Sequence, residues 1–413
     1  MALNHKKMFI LIMLIIIPLM AFTMYFTDGK NIQWLKANNE SKFLNSRNIN
    51  LTQVLEEKVT GPTMKTRSIE TTANMTRVSP TLIPCTKGYT HRAIKRLVPT
   101  FDPDLPLFLN RDFRKWKDFD RLKETTEPYG FKYHVSFVEK LMQALPGNTP
   151  NIMGNDMKCR RCVIIASSGG SIGKHLGSLI DRYDVVIRMN DAPVRNYERD
   201  VGSITAFRML YPESATAKRI DISDAYIVFL PYKLSDYQWL YDVIKGKNPL
   251  KRIGAHFWKS VPKMFDKNVN KIRILNPYIH EEAKVYHLKN NMCIYDSNYH
   301  HRSRLNKQFR HHHHYHHSRC QLMNRPSCGI VGIVMALHYC DHVDITGFSA
   351  YDDDPNIPIH YYDPELKKPR NTVHDWTSEQ RYLNKLLKCG VIERDLTKTD
   401  RTKITYDPEL CQS

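Results

Sequence analysis

Residues 159–214 decide the fold, and they read CRRCVIIASSGGSIGKHLGSLIDRYDVVIRMNDAPVRNYERDVGSITAFRMLYPES. The apolar run Val163 to Ile165 leads into a turn of small residues, 167–170, and a helical segment follows. A second apolar strand, Val185 to Met189, then ends at Asn190. Strand, glycine-rich turn, helix and strand within about thirty residues form a βαβ unit. Its right-handed crossover predicts a parallel sheet with a ligand at the carboxyl ends of the strands.

The turn after the first strand is a candidate phosphate or nucleotide cradle. Serine and glycine at 167–170 allow backbone N–H groups to approach an anion, and the following helix adds the positive end of its dipole. A complete G-x-G-x-x-G pattern is absent. Asn190 stands where a dinucleotide fold usually places the acid that binds a ribose, which argues against an NAD site.

Further segments continue the alternation of strands and helices. Phe137, Leu141 and Leu145 recur every four residues, which predicts an amphipathic helix that packs on the sheet. Tyr226 to Pro231 and Ile272 to Leu275 are predicted strands, and residues 239–244 a predicted helix. This alternation predicts the α/β class.

The chain is large and strongly basic. Its 413 residues are 42% hydrophobic and 25% charged, enough for one large domain or two modest ones, and the formal net charge is +19. Such a charge suits nucleic acid, an anionic membrane or an acidic substrate. We exclude nucleic acid because no binding motif is present and the basic residues are dispersed. A generally basic, solvated surface explains most of the excess charge.

The N-terminal region predicts a membrane anchor. Met8 to Phe26 contains no charge and, as a helix, would span about 28 Å, close to the thickness of a bilayer core. Residues 1–7 carry two lysines and should form a cytoplasmic tail, which places the remainder in the lumen as in a type II protein. A cleaved signal peptide is the alternative, but its apolar region would be shorter and would end in a small-x-small site.

A flexible lumenal stem is predicted from 27 to 84, followed by a catalytic domain from 85 to 413. The stem is polar and lacks sustained apolar periodicity. It carries three acceptor sequons for N-glycosylation, at Asn39, Asn50 and Asn74.

Nine cysteines and a histidine run invite metal or redox interpretations. Cys159 and Cys162, two residues apart, could be a redox pair or half of a zinc site, but the predicted lumenal setting favours disulfides. The run from His311 to His317 could bind a metal ion, although a mobile, solvated loop is the simpler interpretation. The acidic triplet at 352–354 is interpreted as an exposed turn, so we predict no metal site.

Taken together, four ordered stretches resemble the motifs of animal-type sialyltransferases. Residues 159–214 resemble the large sialyl motif, and Arg325 to Phe348, RPSCGIVGIVMALHYCDHVDITGF, resembles the small one. His360 to Asp363 resembles the third motif, and His374 with Glu379 resembles the last, H-x4-E. Three shorter stretches further resemble the branch that makes α-2,3 linkages to β-galactosides: 211–214, 257–259 and 274–278.

The resemblance implies a Rossmann-like, GT-A-like catalytic domain that uses CMP-sialic acid as donor, galactose-terminated glycans as acceptors and no metal ion or other cofactor. His374 would be the general base, and histidine suits this role because its ordinary pKa lies near 6.5. His360 would donate to the donor phosphate, with Tyr211 as a second donor. Glu379 would stabilise the local helix or orient its neighbours.

The resemblance also assigns nucleotide contacts and disulfides. Two groups of residues would hold the nucleotide, one from the large motif and one from the small motif: Ser167, Ser168, Gly169 and Asn190, and Ser327, Cys328 and Gly329. Cys162 would pair with Cys340, and Cys85 with Cys159. Five cysteines are left without partners: Cys293, Cys320, Cys328, Cys389 and Cys411.

Three positions depart from the family pattern. Cys328 stands where the family usually has Thr or Ser, so a weak thiol replaces a firm hydroxyl donor. Ser167 stands where many members have Asn, and Ser349 where Gly is common. These departures bear on donor affinity and not on the fold.

The leading hypothesis is a single-pass type II α-2,3-sialyltransferase of the Golgi membrane that acts on terminal β-galactose. In one alternative the protein has the same enzymatic activity, but its acceptors are lactosylceramide-type glycolipids. Another is a membrane protein that binds the nucleotide but is catalytically impaired at Cys328 and Ser349. A Rossmann-type oxidoreductase is the third, and the missing ribose acid argues against it.

Overall fold

Six parallel strands form the central sheet of the protein, which is described here from a computed structural model. The structure describes residues 84–146, 159–215, 225–249, 257–263, 268–287, 325–349, 354, 356–363, 374–398 and 411. The strands are β1 Arg161–Ile165, β2 Val185–Met189, β3 Phe207–Leu210, β4 Tyr226–Phe229, β5 Ile272–Ile274 and β6 His342–Thr346. Their order across the sheet is β5-β4-β3-β2-β1-β6, and all five pairings are parallel. The predicted α/β class with a parallel sheet is confirmed.

Both faces of the sheet are covered, as is usual for parallel strands. Successive side chains of a strand point to opposite faces. In β1, Cys162 and Ile164 join one hydrophobic cluster, whereas Val163 and Ile165 join another. The continuous apolar run is therefore explained by burial on both sides.

Nine α-helices flank the sheet in the described part of the chain. They are α1 Tyr89–Leu97, α2 Phe119–Glu124, α3 Val135–Gln143, α4 Gly177–Ile180, α5 Glu198–Val201, α6 Leu234–Ile244, α7 Pro277–His287, α8 Cys328–Tyr339 and α9 Trp376–Lys388. Helix α8 is the most deeply buried of those that bear on the site, since every residue from Ile330 to Tyr339 is buried. Because a helix pairs its own backbone polar groups, this apolar segment can be buried and forms part of the hydrophobic core.

A topological switch point lies between β1 and β6. From β1 the chain proceeds through β2 to β5 on one side, whereas after β6 it returns to the outer edge, where Glu393 pairs with Asp344. The loops that leave β1 and β6 therefore run in opposite directions and leave a crevice at the carboxyl ends of the strands.

The structure adds detail to one local prediction and reveals one missed strand. The helical segment predicted through Leu176, Leu179 and Ile180 is α4, which begins at Gly177 and is a single turn long. A 3-10 turn, Gly169–Ser171, precedes it, and positive φ angles at Gly173 and His175 interrupt the segment between. Strand β3 was not predicted, because the buried Arg208 breaks its apolar pattern.

Three disulfides are present in the described residues. Cys85–Cys159 and Cys162–Cys340 are the two pairs that the family resemblance implies. Cys389–Cys411 joins the end of α9 to the C-terminal region and was not predicted. Cys328 is a free thiol, and Cys293 and Cys320 lie outside the described residues.

Several predictions concern residues that the structure does not describe. They are the tail and anchor (1–26), all of the stem except Pro84, the three sequons and the histidine run. Across the ranges that are described, none of the helices combines the length and the apolar content that a bilayer crossing requires.

Candidate active site

The predicted site residues come together at the carboxyl end of the sheet. Residues 166–171 follow β1, Asn190 follows β2, Tyr211 follows β3 and 347–349 follow β6. Helix α8 runs antiparallel to the strands, because it leads into β6, so its first residues Ser327 to Gly329 lie at the same end. The residues assigned to the donor nucleotide thus approach from four separate segments.

The loops after β1 and β6 are joined by a pair of serines. The hydroxyl oxygens of Ser168 and Ser349 lie 2.7 Å apart, and the N–H of Ser168 donates to the carbonyl of Gly347 at 3.0 Å. Ser168 is almost fully buried. Gly170 is required here, because a Cβ at that position would lie 2.1 Å from the Ser349 hydroxyl. Ser349, which departs from the family pattern, is therefore integrated into the loop packing.

The third motif lies alongside the glycine turn. The N–H of Tyr361 donates to the carbonyl of Ser167 at 2.7 Å, and the N–H of Gly169 donates to the carbonyl of Pro358 at 2.9 Å. The Gly169 N–H, which we expected to face an anion, is thus bonded to the protein backbone. These two contacts position His360, whose half-buried ring lies 5.0 Å from that of Tyr362.

Two buried arginines that were not predicted hold the connection from β2 to β3. Arg188 donates to the carbonyls of Gly202 and Ile204 just before β3. Arg188 and Arg208 are neighbours in the β2–β3 register and are at most 1% exposed. Arg208 donates to the carbonyls of Ala192 and Asn190 at 2.7 and 3.3 Å. Asn190 has a φ of 51°, in the left-handed region that asparagine tolerates better than most residues. Arg188 lies in a predicted strand, but Arg208 lies in β3, which was not predicted, so no sequence pattern linked the two arginines.

The first turn of α8 brings together Ser327 and Cys328. The Ser327 hydroxyl caps the helix by accepting the N–H of Ile330 at 3.3 Å. The Cys328 thiol is half-buried and lies 3.5 Å from the Tyr232 hydroxyl, and the Asn190 amide also hydrogen bonds to it. Burial raises the pKa of this thiol to about 11, so it stays protonated at neutral pH. Gly329 packs against Phe348, whose ring would lie 3.0 Å from a Cβ at that position.

Tyr211 and Tyr232 stand next to each other over this turn. Their rings meet edge to face with centroids 5.5 Å apart. Burial raises the pKa of both hydroxyls, and the neighbouring Cys328 adds to the effect. Both hydroxyls therefore stay protonated and can serve as hydrogen-bond donors.

A buried charge cluster holds the two tyrosine segments together. The ammonium of Lys233 lies 3.0 Å from Glu213 Oε1 and 2.7 Å from Asp236 Oδ1. Both acids are at most 1% exposed, and Asp236 also accepts the N–H of Tyr232 at 2.7 Å. One lysine cannot neutralise two carboxylates. Burial accordingly raises the pKa of Asp236 to about 6, although Lys233 opposes the shift.

His374 is held by a backbone carbonyl just before the small motif. Its Nδ1 lies 2.8 Å from the carbonyl oxygen of Arg325, which can only accept a hydrogen bond, so Nδ1 must carry the proton. The neutral tautomer then has its lone pair on Nε2, which is the arrangement required of a base. Asp375 caps α9 directly after it by accepting from Ser378 at 3.0 Å, which fixes the start of that helix.

The chain matches known proteins over this whole region. Residues 108–391 match the model of glycosyltransferase family 29, the sialyltransferases. The chain belongs to glycosyltransferase family 29. It is 33% identical over 315 residues to a mouse CMP-N-acetylneuraminate-β-1,4-galactoside α-2,3-sialyltransferase, a match that covers 75% of this chain and 76% of the mouse protein.

Two further relatives of this sialyltransferase show how widely the family resemblance extends. A human CMP-N-acetylneuraminate-β-galactosamide-α-2,3-sialyltransferase 4 is 32% identical over 75% of this chain and 85% of its own length. A chimpanzee lactosylceramide α-2,3-sialyltransferase is 31% identical over 67% of this chain and 72% of its own.

Solved structures share the fold of this sialyltransferase. A mammalian sialyltransferase crystal structure has a TM-score of 0.52 at 24% identity and covers 76% of this chain and 98% of that one. A second structure, with Gal-β-1-3GalNAc-ortho-nitrophenol bound, has the same TM-score at 25% identity and covers 75% and 98%. Family membership rules out the oxidoreductase hypothesis.

Proposed function

We propose that this chain transfers sialic acid from CMP-sialic acid to the 3-hydroxyl of a terminal β-galactose, on glycoprotein or glycolipid glycans. The linkage is supported by the three relatives described above, whose names all specify α-2,3 transfer. The contact that carries the mechanism is the one between His374 Nδ1 and the Arg325 carbonyl, since it leaves Nε2 free of the proton.

In the proposed step, Nε2 of His374 accepts the proton of the galactose 3-hydroxyl as that oxygen attacks the anomeric carbon of sialic acid. A bond forms between the oxygen and the anomeric carbon, and the bond from that carbon to the phosphate oxygen breaks. CMP leaves with the electron pair, so a single displacement inverts the anomeric configuration. A positioned base of this kind contributes about 10²- to 10⁴-fold to the rate.

The leaving phosphate gains charge in this step and needs preorganised donors. Tyr211 remains protonated because burial raises the pKa of its hydroxyl, so it can donate a hydrogen bond. His360 is held beside the glycine turn by the contacts of Tyr361 and Pro358 and is the second donor in this proposal. Since both donors are protein groups, the proposal requires no metal ion, and activity should persist in EDTA.

We also propose a cellular location and a membrane orientation for the enzyme. We place it in the Golgi membrane as a single-pass type II protein with a lumenal catalytic domain. The support is the uncharged segment from Met8 to Phe26 and the three disulfides, which are typical of an oxidising compartment. Glycosidase digestion and protease protection of microsomes test this orientation.

The decisive experiment measures transfer from CMP-sialic acid to N-acetyllactosamine and, in parallel, to lactosylceramide. The His374→Ala variant should lose activity by a factor of about 10² to 10⁴ while binding CMP as the parent does. The ratio of the two acceptor rates distinguishes glycoprotein-type from glycolipid-type acceptors. CMP binding without transfer to any galactoside would instead support the catalytically impaired nucleotide-binding protein.

A further inference from the structure

The guanidinium of Arg325 lies half-buried among aromatic groups next to the proposed base. Its Cζ is 5.8 Å from the centre of the Tyr232 ring, and its charge acts on the buried Tyr129 and His280. Among the described residues, no carboxylate forms an ion pair with this guanidinium and no acceptor forms a hydrogen bond with it. Arginines in such positions are normally paired.

Three acidic groups of the neighbouring helices have other partners. Glu281 forms an ion pair with Arg121, and Glu282 pairs with His338. Glu379 accepts the backbone N–H of Ser327. Among the described residues, none of the three forms a direct ion pair with Arg325.

His280, which also lies beside Tyr232, is a second polar side chain with an unsatisfied atom. It is only 2% exposed, its ring lies 5.1 Å from that of Tyr232, and its Nε2 has no hydrogen-bond partner within the described part of the chain. Burial, with a smaller contribution from Arg325, lowers the pKa of His280 to about 3. The imidazole is therefore neutral, so it adds a polar atom without a partner, but no negative charge, to the described surroundings of the guanidinium.

The position of Arg325 indicates which substrate faces it. Its carbonyl holds His374, the group that must reach the acceptor hydroxyl in the proposed function. Its guanidinium acts on Tyr129 and on His280 of α7, and it also lies near Tyr232, whose hydroxyl is 3.5 Å from the Cys328 thiol of the predicted nucleotide turn. The carbonyl contact with His374 therefore decides in favour of the acceptor. We propose that Arg325 binds an acidic group, a sulfate or a carboxylate, on the acceptor glycan beside the galactose. This inference rests on the proposed function and extends it to a class of anionic acceptors.

The test compares two acceptors, N-acetyllactosamine and the same disaccharide sulfated at O6 of its N-acetylglucosamine. For the parent enzyme we expect kcat/KM to be higher with the sulfated acceptor. In Arg325→Gln the ratio of the two values should fall about tenfold or more, because a charge-assisted hydrogen bond is lost. Arg325→Lys keeps the charge and should retain part of the preference. Arg381→Gln, at an exposed position of α9, is the matched control and should leave the ratio unchanged.

Two results would overturn the inference. One is an unchanged ratio in Arg325→Gln. The other is a KM for CMP-sialic acid that rises equally with both acceptors in that variant, which would show that the donor carboxylate, and not the acceptor, is bound by Arg325. If the parent transfers to neither acceptor, the proposed function fails, but the role of Arg325 can still be tested by measuring binding. The affinity of CMP-loaded protein for the sulfated disaccharide must then be lower in Arg325→Gln than in the parent, and equal affinities refute the assignment.

Discussion

The backbone N–H of Ser327 donates to the carboxylate of Glu379 at 2.7 Å, and Glu379 is fully buried. This contact joins the first turn of α8 to the first turn of α9. The proposed base precedes α9 by two residues and is bonded to Arg325, which precedes Ser327 by two. One buried hydrogen bond therefore aligns the predicted nucleotide-binding turn with the proposed base.

Removing this carboxylate should uncouple the two segments. Glu379→Ala leaves the Ser327 N–H buried without an acceptor, which should cost about 1 to 3 kcal/mol of folding free energy. We expect a lower melting temperature and a fall in kcat that exceeds the rise in either KM. Glu379→Gln keeps an acceptor oxygen in the same place and should recover most of both losses. Equal damage by Gln and Ala would contradict this account.

The packing between the loops after β1 and β6 predicts a compensating pair of mutations. Gly170→Ala should raise the KM for CMP-sialic acid, because its Cβ would meet Ser349 Oγ at 2.1 Å and displace it from Ser168. Ser349→Gly removes the colliding side chain, and the next contact, Ile357, is at an ordinary 3.8 Å. The double variant should therefore bind the donor better than Gly170→Ala alone. Strictly additive effects in the double-mutant cycle would show that the two positions are not coupled.

A hydroxyl at position 328 should improve donor binding. Serine donates a stronger hydrogen bond than a thiol and restores the residue type usual in the family. Cys328→Ser is expected to lower the KM for CMP-sialic acid roughly fivefold, which corresponds to a hydrogen bond of about 1 kcal/mol. Cys328→Ala supplies no donor and is the control. If Ala lowers the KM as much as Ser does, the size of the thiol and not its chemistry limits affinity.

The cluster of Lys233, Glu213 and Asp236 should make stability depend on pH. The pKa of Asp236 is raised from 3.8 to about 6 in the folded protein, mainly by burial. A raised pKa means that the contribution of this group to stability is fully present below the unfolded pKa and is lost as pH rises through the folded one. Between about pH 4 and pH 6, the melting temperature of the parent should therefore fall relative to that of Asp236→Asn.

Asparagine at 236 retains an oxygen that can accept the N–H of Tyr232, so the comparison isolates the titration. Asp120→Asn, at an exposed position, is the control and should follow the parent across the same range. If the melting temperatures of Asp236→Asn and the parent change in parallel with pH, Asp236 ionises normally.

The regular part of the fold could be predicted from sequence because it depends on apolar runs. β1, β2, β4 and β5 were each expected within a residue or two of their ends. Strand β3 was missed because Arg208 is buried within it and donates to carbonyls after β2 that no local pattern reveals. The one-turn length of α4 was equally unpredictable, since it follows from left-handed residues at 173 and 175.

Motif resemblance supplied the candidate site residues, but it could not supply their contacts. The carbonyl that holds His374 comes from Arg325, 49 residues earlier, and the partner of Ser168 is 181 residues away. The Lys233 cluster was not predicted either, because its three members are ordinary charged residues in sequence and become unusual only through burial. Such information arises from tertiary packing.

The placement of β6 beside β1 has a consequence for biosynthesis. A ribosome that adds about 5 to 20 residues per second needs roughly 10 to 40 seconds to proceed from Ser168 to its partner Ser349. Throughout that interval β1 is an edge strand with unsatisfied backbone groups, and Cys162 lacks its partner thiol. In the proposed lumenal setting, the nascent chain therefore relies on chaperones and thiol oxidoreductases during this time, and the candidate nucleotide site is complete only when most of the protein has been translated.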